Sequence, residues 1–170
     1  MATTPTQTGS AAELSRRLID AVSRQDFATL RQFWTEDTVD DFVALGIEVR
    51  GPDALEAFFR QMHDAFPDFS MTVVRTIAEG DTAVSEWRIT GTFTGAPFNG
   101  IHPTGKAIEL RGVDIMEFRD GKLGRNTVIY DAATFARQVG MLPPVDSAGE
   151  KAMTAAFNAV TDVKARFKKN

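Results

Sequence analysis

Residues 108–122 read IELRGVDIMEFRDGK. Side chains on a strand alternate between two faces, so Ile108, Leu110, Gly112, Asp114, Met116 and Phe118 share one face. Glu109, Arg111, Val113, Ile115, Glu117 and Arg119 share the other. The first set is apolar except for Asp114. RDGK at 119–122 carries the Asp-Gly hairpin signal, and LGRNTVIY supplies the next strand.

Upstream the period is also two. FSMTVVRTIA (69–78) and TAVSEWRITGTFTG (82–95) read as strands joined by a tight turn at EGD. The second places Ala83, Ser85, Trp87, Ile89, Gly91 and Phe93 on one face. APFNGIHPTGK is a Gly/Pro-rich connection. These four segments predict an antiparallel meander.

Helices flank it. Ser10 and Glu13 form a capping box for a helix with Leu14, Leu18, Ile19 and Val22 on one face. Asp26 caps FATLRQFW, and TEDTVDDF leads out in extended form. RGPDALEAFFRQMHDAF reads as a helix with Asp53 as N-cap and a stripe of Leu55, Phe58, Phe59, Met62 and Phe66. Asp131 caps AATFARQVG, which ends at Gly140. Ser147 and Glu150 open a last helix, where Met153, Phe157, Val160, Val163 and Phe167 follow helical spacing. That stripe needs a surface to cover, on its own domain or on a partner subunit. The fold class is α+β: helices, a sheet, then helices. The expected division is a disordered lead over 1–9, one domain over 10–143 and a helical extension over 144–170.

Composition narrows the function. The 170 residues hold no cysteine and two histidines, and the net charge is −4. Thiolate and histidine-rich metal sites are excluded, and no metal-ligand spacing appears. An acidic chain without a basic patch argues against a nucleic-acid surface. No apolar run approaches the roughly 20 residues of a membrane helix. The N-terminus does not read as a signal peptide. The expectation is a cytoplasmic protein without a membrane anchor.

GVDIMEFRDGKL after FNGIHPTGK, preceded by EGDTAVSEWRITGTFTG and RGPDALEAFFRQMHDAFPDF, resembles the SnoaL-like polyketide cyclase family of the nuclear-transport-factor-2 and ketosteroid-isomerase superfamily. The likeness runs from about residue 13 to 143. It implies an NTF2-like cone-shaped barrel around an apolar cavity, and a homodimer formed through the outer face of the sheet. The family's catalytic histidine falls on Asp114, its usual aspartate on Val128, and a further histidine near Asp41.

Asp114, set against Leu110, Met116 and Trp87, is the first catalytic candidate: a desolvated carboxylate has a raised pKa and can move protons at carbon next to a carbonyl. Organising the core is its alternative role. Asn126 and Tyr130 share a face with Val128 and could stabilise an enolate oxygen. Trp87, Met116 and Val128 are expected to contact substrate, Trp87 as a flat wall. Asp41 is a possible second acid at the cavity, or half of a solvated pair with Asp40. His102 reads as a solvent-exposed loop residue, with an acid/base at the cavity mouth as the alternative, and His63 as a surface or rim residue.

The function expected is a cofactor-free acid/base enzyme acting on a hydrophobic, carbonyl-bearing small molecule. Epoxide hydrolysis is a variant of it. The alternative classes are a non-catalytic binding module, favoured by the loss of the acid at Val128, and a protein-interaction domain.

Overall fold

A computed structural model describes residues 9–167. The expected lead over 1–9 therefore lies outside the described residues except for Gly9. Helices α1 (Ala11–Ser23) and α2 (Phe27–Phe33) come first, then strands β1 (Val39–Phe42) and β2 (Ile47–Arg50) and helix α3 (Pro52–Ala65). Strands β3 (Ser70–Glu79), β4 (Thr82–Thr92), β5 (Ala107–Arg119) and β6 (Lys122–Tyr130) follow. Helices α4 (Ala132–Val139) and α5 (Ala148–Phe167) close the chain.

The capping signals act as their chemistry requires. Ser10 Oγ accepts from Glu13 N while Glu13 accepts from Ser10 N at 2.8 Å. Asp131 accepts from Ala133 N and Thr134 N, which ends β6 and starts α4. Asp120 (φ 51°) and Gly121 (φ 72°) both lie in the left-handed region, the requirement of a tight hairpin matched to the strand twist. Two cap readings change. Gly51, not Asp53, caps α3, with Pro52 in its first turn; Asp53 lies inside the helix and pairs with Arg31 at 2.7 Å. Ser147 Oγ accepts from Glu150 N, but the Glu150 carboxylate turns to Asp146 N and Arg137.

The sheet is larger than the expected meander. Six strands run in the order β2-β1-β6-β5-β4-β3 as a curved, unclosed mixed sheet. β3 to β6 are antiparallel neighbours, whereas β1 runs parallel to β6. The segment TVDDF, read as an extended lead-out, is thus a strand paired on both sides. Pairing residue by residue, Asp40 stands beside Asn126, and Asp114 beside Val128.

One face of this sheet is covered by α1 and α3, and the core lies between them. Ala83, Ser85, Trp87 and Gly91 of β4 are buried, as their alternation requires, and so is Phe93 just beyond it. Buried Ser15 of α1 and Ser85 of β4 share a hydrogen at 2.7 Å and pin helix to sheet. His63, expected at a rim, is instead buried: its Nε2 lies 2.9 Å from the carbonyl oxygen of Val22, and Phe69 packs edge-on against the ring. Donation from Nε2 satisfies a carbonyl of the last turn of α1. No helix among the described residues is long and apolar enough to cross a membrane.

Candidate active site

A cavity of about 100 Å³ opens between the inner face of the sheet and the helices. Phenylalanines dominate its wall, among them Phe42, Phe58, Phe66, Phe98 and Phe135. Its polar groups are Asp40, Asp114, Asn126 and Tyr130. Among the described residues, no lysine, arginine or histidine lines it.

The four polar groups come from three adjacent strands. β5 delivers Asp114, β6 delivers Asn126 and Tyr130, and β1 delivers Asp40. Alternation aims each inward, because each shares a face with buried apolar neighbours such as Met116, Val128 and Phe42. Asp114 is 5% exposed, and Asp40 and Asn126 are each 2% exposed.

The Trp87 indole Nε1–H donates to Asp114 Oδ1 at 2.9 Å. Burial pushes the Asp114 carboxyl up to about 7, against the opposing pull of the hydrogen bonds from Trp87 and Asn126. Burial pushes Asp40 further, to about 8; the Asp114 charge adds to the rise and a hydrogen bond from Asn126 opposes it. The Asn126 amide thus acts on both acids. Asp40 Oδ1 and Asn126 Oδ1 are buried without a partner. Burial also raises the Tyr130 phenol. Two carboxyls in one low-dielectric chamber without a cation cannot both ionise easily. The indole donor favours the charged form of Asp114, and Asp40 has no such donor.

The expected site residues divide into two groups. Asp114, Asn126, Tyr130, Trp87 and Val128 all line the cavity. Met116 is fully buried in the core but is not a wall residue. Asp41 faces away from the cavity and accepts from Arg125 at 2.6 Å, in an ion-pair network with Glu48. His102 is exposed in the β4–β5 connection, away from the wall. The residue missed is Asp40. No local signal separates it from Asp41, because the four residues of β1 are too few to display a period. The indole donor to Asp114 was also missed, because the flat-wall reading of Trp87 ignored its N–H. Among the described residues, no three His, Cys, Asp or Glu side chains converge as a metal site.

Comparison with known proteins agrees with this architecture. AclR of Streptomyces galilaeus, a candidate hydroxylase, superposes with a TM-score of 0.68 at 23% identity, covering 91% of this chain and 96% of its own. A candidate SnoaL-like polyketide cyclase from Jannaschia sp. CCS1 superposes with a TM-score of 0.70 at 25% identity, covering 81% and 99%. IdmH of Streptomyces antibioticus, a candidate polyketide cyclase, gives 0.67 at 24% identity, covering 78% and 99%. No curated protein sequence matches the chain. The model of the SnoaL-like polyketide cyclases matches residues 12–139, and the chain belongs to that family.

Proposed function

We propose that the chain is a cofactor-free acid/base enzyme acting on a hydrophobic, carbonyl-bearing small molecule, of cyclase or isomerase type. The observation that carries this reading is the pair Asp114 and Asp40, buried together in an apolar cavity with no cationic side chain in its wall among the described residues. Asp114, ionising near neutrality, takes the proton from carbon next to the carbonyl. Asp40, still protonated, donates a hydrogen bond to the oxygen that becomes an enolate, and Tyr130 offers a second donor. Asn126 holds both carboxyls in register. The proton on Asp114 then returns to carbon, at the new position in an isomerisation or at the same one in exchange. Membership of the SnoaL-like polyketide cyclases favours the same class of carbonyl compound.

A second reading is the same cavity used for binding without turnover. It is favoured by Val128, an apolar residue where the resemblance places the family's acid. Under either reading we propose a homodimer, since Val74, Ile77, Val84 and Ile129 are exposed on the strands and a second copy would cover them.

The test is exchange of the α-hydrogens of 2-tetralone in D₂O, followed by NMR. The wild-type chain is expected to accelerate exchange, and Asp114→Asn to lower it by about 10²–10⁴-fold, the usual contribution of a general base. Saturable binding of the ketone without accelerated exchange supports the binding module instead. Equal exchange by wild type and Asp114→Asn removes Asp114 as the base.

A further inference from the structure

Helix α5 stands off the domain. Residues 151–165 are exposed without exception, alanines included. Among the described residues the helix is tied at its start, where Arg137 donates to Glu150 at 2.9 Å. Yet it carries an apolar stripe: Met153 is 45% exposed, Phe157 69%, Val160 53% and Val163 50%. Most helical stability in proteins comes from packing of an apolar face. An exposed stripe along it implies a cover that a single copy does not supply.

We propose that the cover is α5 of a second copy, packed antiparallel as a two-stranded coiled coil. Met153 and Val160 occupy the first position of two successive heptads, and Ala156 and Val163 the fourth. In the antiparallel register Met153 meets the partner's Val163, and Ala156 meets the partner's Val160. Phe157 then lies beside the partner's Phe157 at the two-fold axis. Lys164 lies beside the partner's Glu150, where it would join the Arg137–Glu150 ion pair at each end of the seam. A parallel pair offers no such match: it sets Lys164 against Ala159 and stacks the small Ala156 on itself. The alanines at 152 and 159 on the other flank let the two backbones approach closely.

The area agrees with a self-contact. The four large side chains leave on the order of 400 Å² of apolar surface per copy, the size at which an exposed patch marks an interaction site. Two copies would cover on the order of 800 Å² in these groups, and the intervening alanines bring the pair toward the roughly 1,200 Å² where specific interfaces begin. This surface is distinct from the outer face of the sheet, and the inference does not depend on the catalytic reading.

The chain contains no cysteine, so introduced thiols report cleanly. Phe157→Cys is expected to form an intermolecular disulfide at least tenfold faster than Asp162→Cys, which points away from the seam. Adding Val160→Asp to Phe157→Cys is expected to slow cross-linking at least tenfold. All three positions are exposed, so the fold of the domain survives these changes. Equal rates for the two single variants, or no effect of Val160→Asp, would overturn the proposal, whatever the oligomeric state. A chain that is dimeric yet gives equal rates uses another surface, and α5 does not pair with its own copy.

Discussion

Replacing Trp87 by phenylalanine isolates one hydrogen bond. The ring remains as an apolar wall, and the donor to Asp114 Oδ1 is lost. A hydrogen bond to a charged group contributes about 1.5–3 kcal/mol. At 1.36 kcal/mol per pKa unit, that predicts a rise of about 1–2 units in the Asp114 carboxyl. The starting value is about 7, and Asp40 stands at about 8. A rise of that size carries Asp114 up to or past its neighbour. The first proton to leave then comes from Asp40, and the two acids exchange roles. The assay is a carbon-detected NMR titration of the aspartate carboxyl carbons, wild type against Trp87→Phe. The two steps belong to the pair, so the decisive signal is which carboxyl carbon follows the lower step. In wild type it is expected to be Asp114; in Trp87→Phe it shifts toward Asp40, and the lower apparent pKa rises. If the Asp114 carbon still follows the lower step at an unchanged pH, the indole does not select the base and the division of roles argued above is wrong.

Two further perturbations test the surrounding structure. A Cβ at Gly112 would stand 2.5 Å from the Trp87 ring and 2.5 Å from the carbonyl oxygen of Ile129, so Gly112→Ala must push the indole off Asp114. We expect it to lose about 1–3 kcal/mol of stability in denaturant titration and to raise the lower carboxyl pKa, whereas Gly124→Ala, in ordinary contact, does neither. Stability against pH gives the second test. Asp40 and Asp114 have folded-state pKa values raised above those of the unfolded chain, so the folded state holds protons that the unfolded state releases. Their contribution is complete below about pH 4 and is lost as pH rises through about 7 and 8. Asp40→Asn is therefore expected to flatten the decline in unfolding free energy between pH 5 and 9, and to leave the variant more stable than wild type at the alkaline end, by several kcal/mol at most. A wild-type curve that rises over this window would contradict the buried neutral pair.

Much of this was legible because a strand's faces are fixed by a period of two. Once IELRGVDIMEFRDGK was read that way, Asp114 had to point at the core, and Asn126, Val128 and Tyr130 had to share one wall. The same rule fails where an element is too short to display a period. β1 has four residues, two of them adjacent aspartates, and its sequence does not say which one is inside. Its parallel pairing with β6 decides this, and that pairing joins residues about eighty positions apart. His63 failed for a different reason. An imidazole on an amphipathic helix reads as polar, yet the carbonyl it meets belongs to α1, which no local pattern announces.

The misplacement of Asp41 also shows how the site is kept neutral. Two neighbouring aspartates meet opposite fates because one faces each way. Asp41 turns outward and pairs with Arg125. Asp40, one residue earlier, meets an amide and a second carboxyl in an apolar chamber, and is held protonated at neutral pH. Had the cavity offered Asp40 a guanidinium, both acids inside would ionise and the chamber would lose its proton donor. Arg125 and Asn126 are likewise adjacent on β6 and face opposite ways. The cation pairs with the outer acid, and the amide reaches the inner two. A one-residue slip of β1 against β6 would turn Asp41 inward and place Asp40 beside Arg125. The register of that single parallel pair therefore determines which of the two aspartates joins Asp114 in the cavity and which meets Arg125.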